Sequence, residues 1–251
     1  MDRFDTLIRQ LTRLDTLTGE ARERRRLGLD WPTDGAETMV GVERLTNVKR
    51  LAADVLARGV EGDFMECGTW RGGVGILMAA MLQADFIEHL TKPRTLFIAD
   101  SFEGCPSPDP AFPADRGDPH STFKFLKVPL AEVSRNFERY GVHEGVEFLP
   151  GWFKNTLPGP VKRLALLRID ADMYESTTQA LEALYDRVTP GGYVILDDFF
   201  NIPNCRQAII DFRARRRIVM PIQPVDWCAV YWQKESPAIQ EILKTGQEVH
   251  A

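Results

Sequence analysis

The 251-residue sequence is short of several things, and each shortage excludes a class of protein. It has 4 cysteines, Cys67, Cys105, Cys205 and Cys228, with no C-x-x-C spacing, too few in a chain of this length for a disulfide framework. Its 4 histidines, His89, His120, His143 and His250, are equally dispersed and form no His/Cys zinc signature, so any metal would be held by oxygen. Long apolar runs are missing: Ala165-Leu166-Leu167 is stopped at once by Arg168, and nothing approaches the ~20 apolar residues that span a bilayer. Met1-Asp2-Arg3-Phe4-Asp5 lacks the basic start and apolar core of a secretory signal, and a cytoplasmic protein with no membrane partner is expected. A basic excess is absent too. With 31 Lys and Arg against 36 Asp and Glu, the net charge of −5 gives no general attraction to nucleic acid, and a small-molecule partner is expected.

What is present is enough chain, 44% hydrophobic, to bury a substantial core. The first 50 residues read as charged and helical, with Phe4, Leu7, Ile8 and Leu11 at helical spacing. The run Arg22, Arg24, Arg25, Arg26 reads as a solvated helix face rather than an anion site. A second helix is expected over Glu37 to Gly59. From there short apolar runs alternate with helical segments, the pattern of a mostly parallel sheet covered on both faces. The expected strands are Asp63–Glu66, Thr95–Asp100, Val146–Leu149, Leu164–Asp170 and Tyr193–Asp198. The expected helices are Gly72–Ile87, Pro129–Tyr140, Tyr174–Asp186 and Pro203–Arg217. Val219–Pro224 and Cys228–Gln233 read as two closing strands paired antiparallel at one edge. Between Glu103 and Pro129 lies a stretch rich in proline, too long for an ordinary connection and read as a mobile lid.

Four of the five parallel strands end in an acid: Glu66, Asp100, Asp170 and the pair Asp197-Asp198. Ligands of open α/β sheets bind outside the carboxyl ends of the strands, and a buried carboxylate is costly without a partner. In Glu66-Cys67-Gly68-Thr69-Trp70-Arg71-Gly72-Gly73, Gly68 allows a tight turn, but the glycines do not fall as G-x-G-x-x-G. The motif alone leaves a structural turn and a cofactor loop equally open. Asp100 tips the balance toward a cofactor, because an acid there can accept from both hydroxyls of a ribose. Gly151-Trp152-Phe153 at the third strand's exit fits either core packing or an adenine pocket, and its place beside the ribose acid favours the latter. Asp170 and Asp197-Asp198 on adjacent strands would bring three carboxylates together. A divalent cation resolves that repulsion, and an all-oxygen set favours Mg²⁺, with Mn²⁺ or Ca²⁺ possible.

The motifs Glu66-Cys-Gly-Thr-Trp-Arg-Gly-Gly, Ala99-Asp-Ser-Phe-Glu-Gly, Asn136-Phe-Glu-Arg-Tyr-Gly, Phe148-Leu-Pro-Gly-Trp-Phe-Lys-Asn-Thr, Arg168-Ile-Asp-Ala-Asp-Met-Tyr and Gly192-Tyr-Val-Ile-Leu-Asp-Asp together resemble the macrocin O-methyltransferase family, from about Thr38 to Trp232. The resemblance implies a class I methyltransferase fold, Rossmann-like and doubly wound, mostly parallel with one antiparallel edge strand. With the helical first 50 residues read as an N-terminal arm or cap, the methyltransferase domain is expected over residues 51–251, with the proline-rich lid at 103–129. The resemblance further implies S-adenosylmethionine held by Thr38, Met39, Glu66, Gly68, Arg71, Asp100, Ser101, Gly151, Trp152 and Phe153, and Mg²⁺ on Asp170, Asp197 and Asp198. The implied reaction is methylation of a sugar hydroxyl on a glycosylated natural product by a homo-oligomeric enzyme. Asp170 is the expected catalytic base as well as a ligand, with His120 or His143 as substitutes. The alternatives are a catechol-type Mg²⁺-dependent O-methyltransferase, a nicotinamide-dependent oxidoreductase, which the missing G-x-G-x-x-G disfavours, and a silent binding protein.

Overall fold

The computed structural model describes residues 2–236 together with Ile239 and Ile242; the remainder of the expected 51–251 domain, His250 included, lies outside the described residues. The chain opens with helices α1 (Arg3–Leu11), α2 (Gly19–Leu27) and α3 (Val42–Ala57), followed by β1 (Asp63–Cys67), α4 (Gly73–His89) and β2 (Leu96–Asp100). After three single 3₁₀ turns come α5 (Leu130–Arg139), β3 (Val146–Pro150), the short α6 (Phe153–Thr156), β4 (Leu164–Ile169), α7 (Tyr174–Leu184) and β5 (Val188–Leu196). The chain closes through α8 (Pro203–Arg215), β6 (Gln223–Pro224) and β7 (Val230–Gln233). The seven strands lie in the order β3-β2-β1-β4-β5-β7-β6. Strands β1 to β5 are mutually parallel, and β7 runs antiparallel to β5 and to β6. This is the expected doubly wound sheet with its antiparallel edge. The order reverses beside β1, so a crevice opens above the carboxyl ends of β1, β2 and β4.

The apolar pattern makes two cores, one on each face of the sheet. On one face Phe64, Leu96 and Leu166 meet Leu45, Val48, Leu51 and Val55 of α3 and Ile76 and Leu77 of α4; Ile8 and Leu11 of α1 belong to the same cluster. On the other face Met65, Leu167 and Leu196 meet Leu181 and Leu184 of α7 and Ile209 and Phe212 of α8. The N-terminal helices thus share the core of the sheet. Among the described residues no helix is long and apolar enough to cross a membrane.

Several local expectations are corrected. Residues Glu37–Val40 precede α3 instead of belonging to it, and the first closing strand shrinks from Val219–Pro224 to Gln223–Pro224. The arginine run is not simply solvated. Arg25 is buried and holds Asp30 at 2.7 Å, the carbonyl of Thr12 at 2.8 Å and Asp34 at 3.3 Å, tying α2 to the chain on either side of it. The 103–129 stretch folds over the strand ends and is laced to the domain. Fully buried Asp115 accepts from the backbone N–H of Tyr174 (2.7 Å) and Glu175 (2.8 Å), placing a negative charge at the N-terminus of α7. Capping and dipole together make such a contact worth ~1–2 kcal/mol.

Candidate active site

A cavity of about 330 Å³ occupies the crevice at the sheet's switch point. Its floor is the turn after β1. Gly68 sits at φ +82°, and a Cβ there would lie 1.7 Å from the carbonyl oxygen of Asp170, so glycine is required for β1 and β4 to converge. Gly73 admits the preceding chain, because a Cβ there would meet the Glu37 carbonyl oxygen and the Thr38 side chain. Trp70 (φ +50°) and Asp172 (φ +56°) line the cavity in left-handed conformations that non-glycine residues seldom adopt, and such strain gathers at functional sites.

At one end of the cavity the wall is made by Thr38, Met39, Gly68, Asp100, Ser101 and the Gly151-Trp152-Phe153 turn, eight of the ten residues expected to face a cofactor. Asp100 is fixed by the N–H of Thr69 (2.8 Å) and of Phe102 (2.7 Å), and burial raises its carboxyl pKa against those hydrogen bonds. The other two expected residues are not among those lining it. Glu66 is fully buried, accepting from Arg168 (2.6 Å) and the Thr69 hydroxyl (2.9 Å), and burial pushes it up to about 7 against the pull of Arg168. Arg71 lies over the Trp70 ring and donates to the carbonyls of Ala36 (3.0 Å) and Pro32 (3.3 Å).

Arg168, Asp170 and Asp172 line the cavity as well, and they belong to a pool of acids around two buried arginines. Arg168 reaches Glu66 at 2.6 Å, Asp170 at 2.7 Å and Asp197 at 3.0 Å, and despite burial these carboxylates hold it firmly protonated. Arg44, from α3, reaches Asp197 at 2.6 Å and Asp226 at 3.0 Å. Two guanidiniums therefore stand among six carboxylates: Glu66, Asp170, Asp172, Asp197, Asp198 and Asp226. The shortage of positive charge falls on particular acids. Asp197, between both arginines, is held below the usual range in spite of its burial. Asp170, Asp172 and Asp198 instead bring carboxylate oxygens within 4.8 Å of one another, and Asp197 and Asp198 make a second such group with Cys228. Burial raises Asp170 strongly and takes Asp198 to about 7, with the neighbouring acids adding to both. Oδ1 of Asp198 accepts from Asn201 (3.1 Å), while its buried Oδ2 has no partner. Of the three acids expected together, Asp170 and Asp198 approach one another, and Asp197 adjoins Asp198 while pairing with both arginines.

Asp172 was quoted in the sequence motif without a role. It lines the cavity, with 24% of its side chain accessible, and burial with Asp170 beside it lifts its carboxyl to about 6. His120 brings Nε2 to 4.0 Å from Asp172, and Nδ1 of the same ring is held at 2.7 Å by Asp118; the Cys105 thiol donates to Asp172 at 3.3 Å. The 103–129 segment therefore contributes both neighbours of this acid. His143 lies apart, against Ser134 and Phe148. A signal for Arg168 was available, since it interrupts an apolar strand that has no other charge before Asp170. Arg44 was equally legible, because it continues the Val48, Leu51, Val55 stripe of α3 one turn earlier.

Residues 5–234 match the family model described as macrocin O-methyltransferase (TylF), so the likeness begins well before the Thr38 at which the motifs set in. A Streptomyces olivaceus protein named 8-demethyl-8-(2,3-dimethoxy-alpha-L-rhamnosyl)-tetracenomycin-C 4'-O-methyltransferase is 47% identical over 222 residues, 87% of this chain and 83% of that protein. The mycinamicin III 3''-O-methyltransferase of Micromonospora griseorubida is 41% identical over 220 residues, 85% of this chain and 84% of that protein. Among solved structures, that of the O-methyltransferase NovP superposes with a TM-score of 0.86 at 40% identity, covering 93% of this chain and 98% of that one.

Proposed function

Because the chain belongs to the macrocin O-methyltransferase family, and is accordingly an S-adenosylmethionine-dependent O-methyltransferase, we propose that it methylates a sugar hydroxyl of a glycosylated natural product with the help of a divalent cation. The family leaves no room for the nicotinamide-dependent alternative. The sugar is proposed from the Streptomyces olivaceus relative, whose name sets a rhamnosyl group beside a 4'-O-methyltransferase activity. The cation is supported by the convergence of Asp170, Asp172 and Asp198, and by the buried Oδ2 of Asp198, which accepts no hydrogen bond.

The cavity suits the cofactor. Gly68 lets the turn after β1 close beneath the cavity, Asp100 can accept from ribose hydroxyls, and Trp152 and Phe153 offer faces for a flat base. When bound, S-adenosylmethionine supplies an electrophilic methyl whose sulfonium leaves as a neutral sulfide without an acid. The remaining task is the acceptor's proton, because a neutral alcohol is a poor nucleophile. The base falls to Asp172 rather than Asp170, whose Oδ2 is engaged by Arg168 at 2.7 Å. Asp172 takes the proton as the oxygen–carbon bond forms and the sulfur–carbon bond breaks, with His120, steadied by Asp118, facing the carboxylate. Asp170 and Asp198, adjoined by Asp197, would hold Mg²⁺, and Mn²⁺ or Ca²⁺ suits the same oxygen donors. Such an ion would supply positive charge to the site and lower the cost of deprotonating the acceptor.

The test is an acceptor panel, glycosides against catechols, with S-adenosylmethionine and Mg²⁺ and with EDTA controls. Methylation of glycosides that EDTA abolishes is the expected result; transfer confined to catechols would move the enzyme to the aromatic class. Homo-oligomerisation is part of the same proposal. The exposed apolar residues Phe86, Ile87 and Leu90 at the end of α4 support it, being more than a lone surface side chain. Sedimentation at micromolar concentration should show a dimer or larger; a monomer alone would remove this element.

A further inference from the structure

Beyond the acid pool, three aromatic side chains from distant parts of the sequence meet at the surface. Trp31, just after α2, lies 4.6 Å from Phe125 and 5.6 Å from Phe123, ring centre to ring centre, and Phe123 stacks on Phe125 at 5.5 Å. Trp31 is 60% exposed and Phe125 38%. Single exposed apolar residues are ordinary, but three rings in mutual contact form a patch. The patch is continuous with the cavity at both sides. Phe123 meets the His120 ring edge to face at 5.5 Å, and His120 faces Asp172; Phe125 accepts from the indole N–H of Trp70 at 2.7 Å, and its neighbour Leu126 lines the cavity, as Trp70 does. Its position is fixed, since the carbonyl of Pro32 is held by Arg71.

Size argues for what lies there. At about 330 Å³ the cavity is near the lower end of the roughly 300–1,000 Å³ of pockets for one drug-sized ligand. A cofactor of drug size takes up most of it. Whatever the sugar is attached to must then leave over the rim, and beyond Asp172 and His120 lie the rings of Phe123 and Trp31. We propose that Trp31, Phe123 and Phe125 form a platform for a flat, apolar aglycone, and so select the acceptor by the part that is not methylated. The inference rests on the sugar assignment for its direction, while the platform itself rests on the ring geometry.

Calorimetry on the S-adenosylhomocysteine and Mg²⁺ complex separates the two, with methyl α-L-rhamnopyranoside, 2-naphthyl α-L-rhamnopyranoside and 2-naphthol as probes, the sugar being the one the Streptomyces olivaceus relative's name specifies. The wild type should bind the naphthyl glycoside about fivefold or more tighter than the methyl glycoside, the scale of a few aromatic contacts. Trp31→Ala and Phe123→Ala should each erase most of that preference and leave methyl glycoside and S-adenosylhomocysteine affinities within about twofold, while Trp31→Phe retains it. Absence of a naphthyl preference, an equal loss on both glycosides, or unchanged naphthyl affinity in both alanine variants overturns the platform. Binding of 2-naphthol that is lost in Trp31→Ala, with neither glycoside bound, supports the platform and removes the sugar assignment instead. Failure of all three probes to bind counts against it.

Discussion

Replacing Asp172 with asparagine is expected to lower kcat by about 10²–10⁴-fold, the usual worth of a positioned general base, with S-adenosylhomocysteine affinity changed by less than about threefold. Asparagine suits this test because it shares aspartate's tolerance of the left-handed backbone at φ +56°, so the loop keeps its shape and loses only its proton acceptor. The loss should fall on kcat rather than on the KM of either substrate, since a group that acts on the proton contributes mainly in the transition state. The same change at Asp170 disturbs a different function. That acid neutralises Arg168 and converges with Asp198, so its asparagine variant should lose cation affinity together with turnover. Near-normal kcat in Asp172→Asn would return the base to Asp170.

The second large effect concerns Asp198. Without a cation, Asp170, Asp172 and Asp198 repel across a partly buried site, and this cost is written into the raised carboxyl pKa values. Asp198→Asn removes one of the repelling charges, including an oxygen that has no partner. In EDTA the variant should therefore melt at the wild-type temperature or above it. Adding Mg²⁺ should reverse the order, because a ligand that binds only the folded state raises its stability in proportion to affinity. Calorimetric Mn²⁺ affinity should fall by at least about 10–100-fold, the loss that even an outer partner of a metal causes. A variant that melts lower than the wild type in EDTA and binds Mn²⁺ equally well would show that Asp198 is a structural acid and no ligand.

The acids at the strand ends were legible because each closes an apolar run, where a charge is costly and so must be there for a reason. The alternation of runs and helices gave the parallel sheet, and two runs with no helix between them gave its antiparallel edge. What stayed hidden was how those acids share their partners. A strand-end position says that Asp197 is near Asp170, but not that Arg44, more than 150 residues away in the chain, reaches in from α3 to neutralise it. The roles of Glu66 and Asp172 were hidden for the same reason. Glu66 faces Arg168 across neighbouring strands, and Asp172 leaves the strand through a left-handed turn that no periodicity announces. The arginine run misled because composition marks charge without marking direction: Arg25 turns inward to two aspartates, while Arg26 pairs with Glu23 on the exposed side of α2.

Transfer of the methyl group to a sugar oxygen is the proposed reaction. The direct measurement uses S-adenosylmethionine labelled with ¹³C in its methyl group, Mg²⁺, and glycosides whose aglycones also carry free hydroxyls, with the label located by two-dimensional NMR. A new O-methyl signal correlated to a sugar ring carbon is expected in every product formed. A label on a phenolic or other aglycone oxygen, with the sugar untouched, would contradict it.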